Sequence, residues 1–201
     1  LKSGQSIRTI SKGQNILAKA TITETIDKEF VIYDLNRLLS LLSSLNDPEI
    51  VINSEKKNLT IKSGLSKTVY GLSDESMIVA PPAKDIKVEN AEVNFLLTKE
   101  HLNQVLKMSG VLGLPNIAVI GDKNKIYIST LDAKNDESDN FSIEIADTTA
   151  KFKFIFNTEN LKMIPGSYNV SISSQGVSHF KHSSDPLEYW IATETGSKYE
   201  G

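Results

Sequence analysis

The chain has 201 residues, of which 39% are hydrophobic and 23% charged, with 11 Gly and 6 Pro, a composition that supports a buried core and excludes disordered, collagenous and low-complexity classes. There is no cysteine and there are only three histidines, which rules out disulfide frameworks, thiolate metal sites and cysteine nucleophiles and leaves little for other metal chemistry. The formal net charge of −3 has the wrong sign for a protein that coats nucleic acid by bulk attraction, and no apolar stretch approaches the roughly 20 residues of a membrane span. Residues 1–11 are polar and lack the apolar core of a signal peptide, so the expectation is a soluble intracellular protein without cofactor or metal.

Short runs rich in β-branched and aromatic residues, separated by Gly, Asn, Asp and Ser, predict strands at 6–11, 15–23 and 28–33. The third run, ending at Tyr33, leads into Asp34, a capping residue, and then Leu35, Leu38, Leu39, Leu42 and Leu45 at helical spacing, which predicts a helix over 35–45 with a leucine face. Strands follow at 49–53, 58–62, 66–71 and 76–80. Pro81 and Pro82 then open a stretch, 81–92, that reads as an interdomain connector because neither can donate to a ladder.

The pattern then repeats. A strand at 93–97 meets Thr98 and a helix near 99–109, with Leu102, Val105 and Leu106 inward and Gly110 and Gly113 closing it. Strands are expected at 116–121, 124–131 and 139–147, then at 151–156. Asn157 and Thr158 introduce a short helix around Leu161 that Pro165-Gly166 stops, and strands follow at 167–174, 176–183 and 186–193. From 93 onward the order is β-α-β-β-β twice over, a complete two-unit domain at 93–201. Residues 1–80 carry the same unit one and a half times, so a strand and a helix, about 20–25 residues at ordinary element lengths, are expected upstream of Leu1.

Catalytic and ligand motifs are scarce. His179 and His182 lie three apart in an expected strand and so point to opposite faces, which disfavours a shared metal. Ser63-Gly-Leu-Ser-Lys-Thr68 lacks the Gly-Lys-Ser/Thr order and the following helix of a phosphate loop, and reads as a hairpin turn. The acidic residues Asp132, Asp136, Glu137 and Asp139 do not have calcium-loop spacing. Asn58-Leu-Thr60, Asn140-Phe-Ser142 and Asn169-Val-Ser171 match the glycosylation sequon, which is short enough to arise by chance.

Lys28-Glu-Phe-Val-Ile-Tyr-Asp-Leu-Asn36, Leu97-Thr-Lys-Glu-His-Leu-Asn-Gln-Val-Leu-Lys107, Asn116-Ile-Ala-Val-Ile120 and Asn160-Leu-Lys-Met-Ile-Pro-Gly-Ser-Tyr168 together resemble the sliding clamps of T4-type bacteriophages. The opening Leu1-Lys-Ser-Gly-Gln5 is similar to a segment that lies after the first helix of those clamps, which fits an N-terminally truncated chain. The resemblance runs through nearly the whole sequence in order and is weakest at 132–150.

This resemblance implies an α+β sliding-clamp fold: two similar domains, 1–80 and 93–201, each built from two β-α-β-β-β units, strand-rich, with the helices on one face. It implies a homotrimeric ring around duplex DNA that tethers the replicative DNA polymerase, is opened by a clamp loader, meets transcription factors as a late-transcription coactivator, and works in the cytoplasm of the bacterial host. No bond would be made or broken, so no enzyme activity is implied. The helix faces left after the leucines are buried supply the expected DNA-channel residues: Arg37, Ser40 and Ser44 on the first helix, Asn103, Gln104 and Lys107 on the second, and Lys162 on the third. Gly110 falls where such clamps usually carry a basic residue, and Arg37 where they often carry a small one, so channel contacts are expected to be redistributed. Partner peptides in such clamps dock near the connector, which makes Ile86, Val88, Trp190 and Ile191 the candidates by position.

Three other readings compete. A virion or tail β-protein shares the composition but does not explain three matched strand-cap-helix units. A hydrolase would need convergent carboxylates or a Ser/His/Asp set, and none is seen. A monomeric clamp-fold protein that holds DNA by charge would need a strongly basic face, against a pI near 5.7.

Overall fold

A computed structural model describes every residue except Ala83, Asp85 and Lys123, so two positions of the expected connector lie outside the described residues. The chain divides into two compact units, Leu1–Ile10 with Ala20–Pro82, and Ser11–Lys19 with Ala83–Gly201.

The second unit follows the expected order. It contains β6 (Val93–Leu97), α2 (Lys99–Leu112), β7 (Asn116–Asp122), β8 (Lys125–Leu131) and β9 (Phe141–Asp147), then β10 (Phe152–Asn157), a 3-10 turn (Thr158–Leu161), β11 (Tyr168–Ser173), β12 (Val177–His182) and β13 (Leu187–Ala192). A two-residue β14 (Lys198–Tyr199), not expected from the sequence, adds to β10. The strands form an antiparallel sheet ordered β14-β10-β7-β8-β9, and a second in which β13, β12, β11 and β6 are successive neighbours.

Alternation sets the core of this unit. Val93, Phe95 and Leu97 of β6 face inward while Asn94 and Leu96 face out, and Phe152, Phe154 and Phe156 of β10 face the same interior as Ile117 and Val119 of β7. Gly121 permits the tight approach of β7 and β10, since a side-chain carbon there would lie 2.4 Å from the Phe152 ring and 2.6 Å from the Ala150 carbonyl oxygen.

Helix α2 is capped as its sequence implies. The Thr98 hydroxyl accepts from the His101 N–H at 3.2 Å, and Leu102, Val105 and Ser109 face the core. The helix runs on past 109, through Gly110, because only Gly113 takes the left-handed conformation (φ 65°) and returns its N–H to the Ser109 carbonyl. The buried Ser109 hydroxyl donates to the Leu114 carbonyl at 2.7 Å and lies 3.1 Å from the Thr158 hydroxyl, tying the end of α2 to the 3-10 turn. The short helix expected around Leu161 is this single 3-10 turn: Asn157 caps it, the Glu159 N–H donating to its side chain at 2.9 Å, and it closes after Leu161.

The first unit holds β1 (Gly4–Ile10) and most of β2 (Ile16–Ile26), which are neighbours, then α1 (Leu35–Ser43) and an antiparallel sheet of β3 (Glu49–Asn53), β4 (Asn58–Ser63) and β5 (Ser66–Gly71). Strand β2 begins in the second unit and continues in the first from Ala20.

Three expectations need correction here. The run 28–33 is not a ladder strand: among the described residues its backbone meets Leu1 through one reciprocal pair, the Phe30 N–H donating to the Leu1 carbonyl and the Leu1 amine to the Phe30 carbonyl, and Ser73 through the Ser73 N–H to the Val31 carbonyl. The expected strand at 76–80 is instead a 3-10 turn over Glu75–Met77, because the Met77 and Ile78 amides close locally onto the carbonyls of Asp74 and Glu75. Helix α1 stops at Ser43 rather than 45, since the Ser44 N–H and hydroxyl both bond back to the preceding turn. The Asp34 cap does form, accepting from the Arg37 N–H at 2.9 Å.

Candidate nucleic-acid interface and partner site

On α1, Leu38 is buried against Leu59 and Ile61 of β4, and Tyr70 of β5 donates its hydroxyl to the Asp34 carbonyl at 2.8 Å, fixing the start of the helix. This leaves Arg37, Ser40 and Ser44, at i, i+3 and i+7, exposed on one side. The Ser44 hydroxyl is engaged by the Leu41 carbonyl at 2.7 Å, so Arg37 is the only formally charged group of the three.

On α2 the stripe of Leu102, Val105 and Ser109 turns Asn103, Gln104 and Lys107 outward, and all three are exposed. Lys99, which sequence reasoning overlooked, is also exposed and lies four residues before Asn103 and eight before Lys107. That i, i+4, i+8 spacing is the signal that could have found it, and it makes a line of Lys-Asn-Lys along the helix. Lys162 is exposed at the end of the 3-10 turn, where its ammonium pairs with Glu159 at 2.6 Å, so its charge is partly met at home. The faces are thus polar to weakly basic, able to offer non-directional phosphate contacts and nothing that reads a base.

The four partner-pocket candidates do not form one wall. Ile86 is exposed and Val88 half-buried, on a segment with no helix or strand. Trp190 and Ile191 are consecutive on β13 and so face opposite sides of the sheet. Ile191 is in the core, across from Ser178, whose hydroxyl donates to its carbonyl at 2.7 Å. Trp190 lies on the other side, only 5% exposed, stacked on His179 at 4.8 Å between ring centres, with the His179 Nε2 2.8 Å from Glu188 Oε2.

A concavity of about 310 Å³ touches none of these four residues. It is a polar hollow around Ser129, Ser142, Asn135, Asn140, Asp136 and Lys153. Among the described residues no set of three His, Asp or Glu stands close enough to hold a metal ion, and no helix is long and apolar enough to cross a membrane.

Residues 94–195 match the family model described as gp45 sliding clamp, C terminal. The chain is 32% identical over its full length to the sliding clamp of Enterobacteria phage T4, covering 90% of that protein, and 33% identical over 96% of its length to the sliding clamp of Vibrio phage KVP40, covering 89% of it. The chain belongs to the phage sliding clamp family. The clamp fold extends well beyond recognisable sequence: proliferating cellular nuclear antigen from Entamoeba histolytica superposes with a TM-score of 0.65 at 15% identity, over 95% of this chain and 85% of that one. The DNA polymerase sliding clamp from Pseudomonas aeruginosa gives 0.69 at 13% identity, over 95% of this chain and 55% of that one. Membership of the clamp family displaces the virion-protein reading of the composition.

Proposed function

We propose that this chain is a working sliding clamp: a ring of identical subunits that encircles duplex DNA without reading its sequence and tethers the replicative DNA polymerase for processive synthesis. The observation that carries the reading is the similarity of the whole chain, end to end, to phage proteins named sliding clamps. The chemistry of the exposed helix faces is compatible with it, since a clamp that slides needs weak phosphate contacts and each tight one would add a barrier to translation. The clamp is not an enzyme; its work is topological, and it takes place on DNA in the cytoplasm of the bacterial host.

In this reading the ring is a homotrimer, a clamp loader opens it, and transcription factors engage it as a late-transcription coactivator. The two clamp domains are 1–80 and 93–201, joined by the connector 81–92. Arg37, Ser40, Ser44, Asn103, Gln104, Lys107 and Lys162 face the DNA, joined by Lys99. Ile86, Val88 and Trp190 mark the partner-peptide site, and Ile191 supports it from the core side of β13.

The test is solution mass by light scattering over a range of concentrations, followed by retention on circular against linear duplex DNA after loading. A mass three times the 22.2 kDa chain, and retention that is lost when the circle is cut, are expected. Equal retention on both DNA forms overturns the topological reading.

A further inference from the structure

The outward face of the β3-β4-β5 sheet has an organisation that DNA encirclement does not use. The ladder register sets it out in rows. Val51 stands opposite Thr60, which stands opposite Val69; the next row toward the hairpin end is Glu49, Lys62 and Lys67. These residues alternate with Ile52, Leu59, Ile61 and Tyr70, which belong to the core beneath, so the two rows share the solvent side.

Each part of this face breaks an ordinary surface rule. Val51 is 41% and Val69 59% exposed where the open side of an antiparallel sheet usually carries polar residues. Lys62 and Lys67 are directly cross-strand, an arrangement that destabilises a sheet, and neither has an ion pair or side-chain hydrogen bond among the described residues. At the tip of the same hairpin Gly64 takes φ 56° and Leu65 is fully exposed. Beside the valines, the Asn53 side chain donates to both Asn58 and Thr60, at 3.1 and 3.0 Å, which holds the polar border of the row in one arrangement.

We infer that this face is a protein-docking surface for an extended segment that alternates apolar and acidic side chains. Same-face positions along a strand repeat at about 7 Å, so a bound segment in extended conformation presents residues i and i+2 at the spacing of the valine and lysine rows. Apolar side chains would cover Val51, Val69 and Leu65, and carboxylates would meet Lys62 and Lys67. Charge complementarity selects this occupant. A phosphate backbone would meet the lysines but leave the valines and leucine in water, and a neutral apolar segment would leave unmet the excess positive charge of the row, two lysines against the single carboxylate of Glu49. The inference stands apart from the ring reading, because it rests on one face of one sheet.

The probe is a synthetic peptide of three Leu-Ser-Glu-Ser repeats, with a Leu-Ser-Lys-Ser counterpart, titrated into the 15N-labelled chain while amide shifts are followed. The acidic peptide should bind at millimolar concentration or better and shift amides of Glu49–Asn53, Asn58–Ser63 and Ser66–Gly71. Lys62→Glu with Lys67→Glu should weaken it by about tenfold and admit the lysine peptide instead, and Val51→Ser with Val69→Ser should weaken both. Because all four side chains point to solvent, the variants should keep the parent circular dichroism spectrum. Failure of the acidic peptide to bind, or binding indifferent to the charge reversal, overturns the inference. So does a short DNA duplex that shifts the same amides regardless of the valine changes, or a concentration-dependent mass that Val69→Ser abolishes, which would assign the face to a second copy of the chain.

Discussion

The two units start from the same sequence device and end with different interiors. Asp34 caps α1 and Thr98 caps α2 in the same way, each side chain accepting from the amide three residues on. Yet Val105 of α2 has no exposed surface, whereas Leu35 and Leu39 of α1 remain about half exposed. The second unit closes its core with Phe152, Phe154, Phe156, Tyr168 and Phe180, while the buried cluster of the first is Leu38, Leu59 and Ile61, with no aromatic ring among them. Helical spacing states which residues could be buried together; burial itself requires a second layer to receive them.

This difference should be measurable as unequal stability. Phe156→Ala removes a fully buried ring and should cost about 3–5 kcal/mol, while Leu38→Ala, in the smaller cluster, should cost about 2–3 kcal/mol. Native-state hydrogen exchange should show amides of β3, β4 and α1 opening at lower free energy than those of β7 and β10. Equal protection in the two units would break the comparison.

The same contrast explains what could be read in advance. Strands β3 to β13 were legible within a residue or two because alternation, turn residues and aromatic content agree there. The run 28–33 has equal β-propensity but meets only short stretches of distant chain at Leu1 and Ser73, an outcome set by tertiary partners, whereas 75–78 closes locally onto the carbonyls of Asp74 and Glu75. For the site, the exposed sides of α1 and α2 followed from the leucine stripes, and Lys99 was missed only because the first turn was not counted with the rest. Trp190 and Ile191 were candidates by position alone, and position does not say which face each takes: as consecutive residues of β13 they lie on opposite sides of the sheet.

The helix faces offer a second way to sharpen the comparison, on function. If the clamp reading holds, Lys107→Glu on α2 should shorten processive runs at moderate salt about two- to tenfold, since the neighbouring Lys99 and Asn103 make a continuous line there and one reversed charge both removes and opposes a phosphate contact. Arg37→Glu on α1 should act in the same direction but less, because only Ser40 and Ser44 flank it and the Ser44 hydroxyl is already committed to its own helix. Primer-extension product length across a salt series measures both, and solution mass should stay at the parent value. An Arg37 effect larger than that of Lys107 would reverse the ranking of the two faces.

The smallest expected effect concerns a contact confined to the second unit. Glu92, just before β6, accepts from the Ser174 N–H at 2.9 Å and from the Ser174 hydroxyl at 2.5 Å, joining the start of β6 to the end of β11. These donors, the hydroxyl foremost, hold its carboxyl below the usual range. A carboxylate with a lowered folded-state pKa contributes stability that is fully present above its unfolded value, about 4.3, and is lost as the pH falls through the folded value. Glu92 is solvent-exposed, so screening limits the contribution to about 0.5 kcal/mol. Glu92→Gln keeps an acceptor for Ser174 but removes the charge, so the stability gap between parent and variant, from denaturant melts, should be constant from pH 8 down to about 5 and narrow below about 4. A gap that widens on acidification would mean that Ser174 stabilises the protonated form, contrary to the donor geometry at β11.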